Sequence, residues 1–305
     1  MINNSETPSF IFQGVKIIDT FAEAFPITGT RVIVTAVSKE WAFIAATTST
    51  GYASSVIGCD TEAGIERELS PDETPDGRPG FSLLFFAFSR EALQKAIVAR
   101  VGQSILTCPT TACYNGVPID PLRAIQIGGM LRFFGDGYQT SKLLDGKRYW
   151  RIPVMDGEFV CEDKFGTVKG VAGGNILILA TTQALALQAA SRGVAAARKI
   201  PDVLLPFPGG VVRSGSKVGS KYKKLKASTN EAYCPTLRAI AASQLDPNVS
   251  AVYEIVIDGF SREAVEAAMK NALHAACGEG VECISAGNYG GKLGPVHIRL
   301  SSLIS

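Results

Sequence analysis

The sequence predicts an α+β protein made of two ferredoxin-like split βαβ lobes, related by an internal duplication and joined by a β-hairpin-rich insert. Two observations carry the prediction. Residues 88–93 read FSREAL and residues 260–265 read FSREAV, and each hexamer follows an apolar segment, PGFSLLFFA in one half and SAVYEIVIDG in the other. Upstream of each, an apolar strand pattern precedes a helical pattern and a second strand. Each half therefore reads β-α-β, a long connection, then β-α-β, the order in which two helices pack on one face of an antiparallel sheet. The lobes are expected at residues 1–149 and 150–305.

Taken in order, the first half has an apolar strand over 30–37, a helical pattern over 38–48 and a strand near 53–58. After the connection and the strand ending at Ala87, Ser89 is a natural N-cap, with Glu91 near the positive end of the helix dipole. A strand over 104–111 and the turn Tyr114-Asn115-Gly116 close the half. The insert, 118–172, has turn signals at Asp136-Gly137 and Asp156-Gly157 and strands near 149–154 and 158–161. Its Phe133 and Phe134, beside Gly135-Asp136-Gly137-Tyr138, read either as a ligand platform or as a strand end packed on a lobe. The second half repeats the plan with a strand over 175–181, an alanine-rich helix over 183–197 and a strand over 202–206. A strand over 252–257, a helix capped by Ser261, with Glu263 in its first turn, and a strand over 280–285 complete it.

At 305 residues, 46% hydrophobic and only 19% charged, the chain is apolar enough to imply large subunit contacts. A formal charge of +2 is too small for bulk attraction to nucleic acid, so any electrostatic function lies in local segregation. MINNSETPSF has neither the basic nor the apolar region of a signal peptide, and no apolar run reaches the roughly 18 residues of a membrane span. Seven cysteines without a C-x-x-C pair read as reduced cytosolic thiols, and two histidines offer no zinc pattern. A soluble cytoplasmic protein is expected.

Charge does segregate in PFPGGVVRSGSKVGSKYKKLKASTN, residues 206–230. A side-chain-poor turn is followed by six cations, Arg213, Lys217, Lys221, Lys223, Lys224 and Lys226, with no acidic residue among them. Such a loop suits a phosphate or carboxylate, or is a solvated basic loop; Ser216-Lys217 has the wrong order for a P-loop. The corresponding connection in the first half, 59–80, carries seven acidic residues against two arginines. Its Asp72, Glu73 and Asp76 are expected to dock near the basic site, from the same subunit or another.

The duplication also isolates Glu254, on an apolar strand where the first half has Ser82. An ionised carboxylate there is costly. It is either a buried glutamate satisfied by a lysine or a general acid with a pKa raised by desolvation, a shift that nearby cations would oppose. His274 and His297 both face outward by pattern, Cys234 has nothing that marks it as activated, and no Ser-His-Asp or Cys-His constellation remains.

The blocks DTFAEAF (19–25), TPDGRPG (74–80), FFGDGYQ (133–139), GVAGGN (170–175), PFPGG-VVRSGSKVGSK (206–221), ASTNEAYCP (227–235), VYEIVI (252–257) and SAGNYGGKLG (285–294) together resemble the formylmethanofuran–tetrahydromethanopterin formyltransferase family, in one order over nearly the whole chain. The resemblance implies a reversible N-formyltransferase, an acyltransferase of one-carbon metabolism. It would pass a formyl group between N-formylmethanofuran and N5 of tetrahydromethanopterin through a non-covalent tetrahedral intermediate. The two coenzymes are substrates, with no metal and no prosthetic group, and the family's subunits form homotetramers with a cleft at their contacts. It also implies that Glu254 is the acid. By the matched motifs, Phe207, Pro208, Gly209, Gly210, Arg213, Ser214, Lys217, Tyr233, Tyr289 and Asp136 bind substrate. Ser228, Thr229, Asn230, Asn288 and Lys292 donate to the oxyanion or position the coenzymes, and Asp19, Glu23 and Tyr138 complete the set.

Archaeal members are markedly acidic, whereas this chain is nearly neutral, carries KYKKLK after the shared GSK and has an N-terminal extension. It therefore resembles the bacterial branch, where formaldehyde is oxidised to formate and the enzyme is part of a formyltransferase/hydrolase complex. The rival readings are a silent scaffold subunit of that complex and an RNA-binding module. Against the latter stand the absence of an RNP1-like aromatic strand and the low net charge.

Overall fold

The structure is a computed structural model that describes residues 8–304; residues 1–7 of the expected N-terminal extension lie outside the described residues. From the N-terminus run β1 (Ser9–Phe12), β2 (Val15–Ile18), β3 (Phe21–Thr35), α1 (Lys39–Thr50), β4 (Glu62–Leu69), β5 (Gly80–Ala87), α2 (Arg90–Arg100) and β6 (Ala112–Asn115). The insert adds β7 (Ile125–Gln126), α3 (Gly128–Leu131), β8 (Thr140–Leu144), β9 (Lys147–Val154), β10 (Gly157–Glu162) and β11 (Lys164–Phe165). The rest forms β12 (Val168–Ala180), α4 (Gln183–Ala197), β13 (Val203–Leu204), β14 (Ser216–Val218), β15 (Ala227–Thr229), β16 (Ala251–Gly259), α5 (Arg262–Ala276), β17 (Val281–Ser285) and β18 (Val296–Arg299). Two compact units result. One is Ile27–Gly170, and the other combines the chain up to Pro26 with the chain from Val171 onward.

In the unit Ile27–Gly170 the strand order is β4-β5-β3-β6, with β3 antiparallel to both β5 and β6. That is the ferredoxin-like arrangement the duplication predicts. Ser38 and Ser89 cap α1 and α2 by accepting from the backbone N–H of Trp41 and Ala92. The helices bury Ala42, Ala45, Leu93 and Ile97 against Val32, Val34, Leu83 and Phe85 of the sheet. β10 joins β6 in parallel and leads into the antiparallel β10-β9-β8 meander.

Three local expectations are corrected here. The second strand lies at Glu62–Leu69, not near 53–58; Ser55 and Gly58 form a turn, and the charged alternation of EAGIEREL suits a strand at the sheet's edge. Residues 101–105 continue helically, since burying Val101 and Ile105 keeps both on one face, and the strand begins only at Ala112. The 128–135 segment is two short helical turns rather than a strand end, and its Phe133 and Phe134 are 64% and 66% exposed.

The other unit repeats the plan in the order β17-β12-β16-β13. Thr182 and Ser261 cap α4 and α5. Small residues let these helices approach closely: Ala186, Ala189, Ala190 and Ala197 of α4 and Ala268, Ala272 and Ala276 of α5 are all buried. Their core includes Ile176, Ile178, Ile255 and Ile257. β2 extends the sheet beside β17 and β1 beside β2, while β18 pairs with the first residues of β3, setting His297 opposite Glu23.

Candidate active site

Glu254 lies at the middle of β16, paired with Leu177 of β12 on one side. On the other side β13 pairs with Asp258 and Gly259, then the chain detours through Phe207–Gly210 and returns. Val212 forms a two-way bridge with Glu254, its N–H donating to the Glu254 carbonyl at 2.7 Å and its carbonyl accepting at 3.0 Å. The detour requires glycine: Gly209 and Gly210 have φ of 66° and 83°, and a Cβ on Gly210 would sit 2.9 Å from Val194 Cγ1. Arg213 and Ser214 therefore follow directly from the residue bonded to Glu254, and both are exposed.

The Glu254 side chain is half-buried and makes no side-chain hydrogen bond or ion pair with the described residues. Desolvation by the surrounding protein pushes its pKa up to about 7. The opposition expected from the basic loop does not arise: burial is the sole cause of the shift, and Lys217 pairs instead with Glu231, whose carboxylate is held below its ordinary pKa. The two readings of this residue thus separate: no lysine satisfies Glu254, and its protonated form persists to neutral pH.

Tyr289 connects the loop 286–294 to β14. Its hydroxyl donates to the Ser216 carbonyl of β14 at 3.2 Å. Desolvation raises the tyrosine's pKa, the Val218 backbone partly offsets this, and the Glu254 and Glu23 carboxylates raise it further. Glu254 and Tyr289 are therefore electrostatic neighbours. The stretch 212–216 thus touches both Glu254, by backbone, and Tyr289.

The other sequence candidates divide by what their polar atoms already hold. The Ser228 hydroxyl donates to Gly219 O within the β14-β15 hairpin, and that of Thr229 is shared with Cys234 Sγ. The Asn230 side chain makes no hydrogen bond with the described residues, and its carbonyl accepts from the Tyr233 N–H. The Tyr233 phenol is raised by burial and eased by a hydrogen bond with Ser285, while its ring packs on the Leu177–Leu245–Val249 cluster. Asn288 spends its amide on Thr20 and Phe21, and Lys292 is exposed. Asp19 keeps one buried carboxylate oxygen without a hydrogen-bond partner. Glu23, 4% exposed, accepts four backbone N–H groups from residues 289–294. Asp136, in the left-handed region at φ 49°, and Tyr138, 81% exposed, belong to the unit Ile27–Gly170.

Two further supports were not among the candidate site residues. Asn175 accepts from Gly287 N–H at 2.6 Å and donates to Gly287 O at 3.2 Å, tethering the start of the 286–294 loop. Asp258, fully buried, accepts from Gly173 N–H at the bulge in β12. Both are polar residues on apolar strands, the signal that singled out Glu254. His274 is also corrected: it is half-buried, bonded to Leu303 O at 3.0 Å and packed on Phe12. In the 59–80 segment, Glu73 pairs with Arg67, and Asp76 with Arg78, Thr35 and Tyr114 inside its own unit. Among the described residues no cluster of three or more His, Cys, Asp or Glu could hold a metal ion, and no helix is long and apolar enough to cross a membrane.

Comparison with known proteins bears on this geometry. The family model described as formylmethanofuran-tetrahydromethanopterin formyltransferase matches residues 10–154, and the one described as FTR, proximal lobe, matches residues 157–303. A curated relative from Methylobacillus flagellatus, formylmethanofuran–tetrahydromethanopterin formyltransferase, is 55% identical over 97% of this chain and 100% of its own length. Another, one of the subunits of the formyltransferase/hydrolase complex of Methylorubrum extorquens, is 53% identical over 97% of each chain. Among solved structures, the formyltransferase/hydrolase complex from the same organism, in complex with methylofuran, superposes with a TM-score of 0.94 at 52% identity, covering 98% of this chain and 99% of that one.

Proposed function

The chain belongs to the formylmethanofuran–tetrahydromethanopterin formyltransferase family, and we propose that Glu254 is the acid–base group with which it moves a formyl group between the two coenzymes. In this transfer the amine of one coenzyme attacks the formyl carbon carried by the other, a tetrahedral oxyanion forms, and the original nitrogen departs as a protonated amine. No covalent bond to the protein is needed. The step requires a proton for the leaving nitrogen, donors for the oxyanion and exclusion of water, so that formate is not released early.

Glu254 supplies the first requirement. With a pKa of about 7 it is present in both forms at neutral pH. The carboxylic acid protonates the departing nitrogen and the carboxylate so formed takes the proton of the newly formylated one, so the group ends as it began and serves either direction. That desolvated, partner-free carboxyl is the observation that carries the proposal. Arg213, Ser214 and Lys217, reached directly from Val212, suit the coenzymes' anionic groups. Asn230 and Lys292, with uncommitted side chains, are the stronger oxyanion candidates, whereas Ser228 and Asn288 build the site's frame. No prosthetic group is invoked, since proton transfer and oxyanion stabilisation are within reach of side chains.

The duplicated halves are proposed at 1–149 and 150–305. The likeness to the Methylorubrum extorquens proteins supports a role beside hydrolase-type subunits, with transfer from formyl-pterin to methanofuran or methylofuran and release of formate on a partner. Exposed Trp41, Phe43 and Ile44 on α1 fit subunit contact, in such a complex or in a homotetramer. A cytoplasmic location fits the dispersed free thiols. The test is formation of 5-formyl pterin from formylmethanofuran and tetrahydromethanopterin by the purified protein, alone and with its partners. Turnover by wild type and its loss in Glu254→Gln support the proposal; an inactive wild type in both settings points to a scaffold.

A further inference from the structure

Residues 286–294 form a glycine-rich segment of the kind that offers backbone N–H groups to an anion. Here that nest is filled from within. Glu23, on β3 and almost fully buried, accepts from Tyr289 N–H at 2.7 Å and Gly291 N–H at 3.1 Å through Oε2, and from Gly294 N–H at 2.7 Å and Leu293 N–H through Oε1. Converging four N–H groups on one carboxylate needs the left-handed turns at Gly290 and Gly291, with φ of 71° and 74°. Burial opposes the charge on Glu23, but the four N–H groups outweigh it and the carboxyl's pKa is lowered. The start of the loop is held separately, Gly287 by Asn175 and Asn288 by Thr20 and Phe21.

With four of its N–H groups held by Glu23, the loop presents the Tyr289 side chain to β14. Tyr289 reaches Ser216 O and lies within electrostatic reach of Glu254. We propose that Glu23 is a positioning residue for formyl transfer: its carboxylate occupies the nest of residues 289–294 and so fixes Tyr289 against Ser216, beside Glu254. Glu23 does not touch substrate, and the four N–H groups it holds are not the oxyanion donors. The inference rests on Glu254 as the acid for its catalytic consequence, but not for its structural one.

The test is Glu23→Gln, compared with Tyr289→Phe and the double variant. The amide replaces one acceptor oxygen by a donor, so one pair of N–H groups loses its partner while the side-chain volume is kept. Amide hydrogen exchange in residues 287–294 is expected to accelerate by about tenfold or more in Glu23→Gln, with the β12 and β16 amides unchanged. Unchanged exchange in 287–294 overturns the inference whether or not the preparation is active. In the transfer assay, kcat is expected to fall by about 10–100-fold with KM changed less than about threefold, and the double variant should be no slower than Glu23→Gln. A rise in KM with kcat intact would make the loop a binding element and overturn the positioning role. Multiplicative losses in the double variant would show that Glu23 does not act through Tyr289. If wild type is active and Glu254→Gln equals it, the reading of Glu254 fails, while the exchange result still decides the clamp.

Discussion

Replacing Glu254 by glutamine keeps its shape and removes its titration, which tests the acid role and its energetic cost together. At pH 7 a carboxyl of pKa 7 is half protonated, against about 0.3% for one at 4.5, so desolvation enriches the acid form about 160-fold. Wild-type kcat/KM for transfer should therefore fall above pH 7, by about tenfold per unit well beyond it. Glu254→Gln should lose about 100-fold or more at pH 7 and show no such limb. Stability should move the other way. The folded-state pKa is raised, so below pH 4.5 the carboxyl is neutral in both states and costs nothing. As pH rises towards 7 the unfolded chain ionises while the folded one resists, and the penalty levels off above pH 7. Its ceiling is roughly 3 kcal/mol, less for a half-buried side chain. Urea melts at pH 5 and pH 8 should show the glutamine variant gaining stability mainly at pH 8. A variant within threefold of wild-type activity, or one retaining the wild-type pH limb, would refute the assignment.

Three further outcomes are expected. Gly210→Ala puts a Cβ into the left-handed region against Val194, and should cost about 2–4 kcal/mol in denaturant melts, while an unchanged midpoint would mean that the detour adapts freely. Glu66→Gln removes the negative charge and one of the two oxygens that meet Arg31, both at 2.7 Å, leaving a largely buried cation without its counter-charge; a loss of about 3 kcal/mol is expected in the same assay. Lys217→Ala should hardly alter stability, since its pair with Glu231 is part-exposed, but should raise KM for an anionic coenzyme by about tenfold and flatten the salt dependence of KM. A salt response identical to wild type would remove Lys217 from coenzyme binding.

Local pattern and internal symmetry made much of this protein legible from sequence. The repeated FSREA pentamer announced two capped helices, and Ser89 and Ser261 do cap them, because N-capping depends on one side chain and the backbone three residues on. Glu254 could be singled out because a carboxylate on an apolar strand is costly wherever that strand packs. The strands at 62–69 and 112–115 were misplaced, since short amphipathic or mixed segments take their state from the sheet edge or helix that receives them. The direction of Glu254's shift was equally hidden: the cations of the 213–226 loop would oppose it, and only the folded chain shows that burial alone sets it. Glu23 and residues 289–294 are more than 260 positions apart, so no local rule could reveal that the nest is filled by the protein's own carboxylate. Sequence thus determined which residues could carry charge, cap a helix or turn at positive φ, because those are properties of single residues and their near neighbours. Tertiary structure decided which charges were already satisfied and which carboxyl was left partnerless, because desolvation and hydrogen bonding depend on what the folded chain brings together.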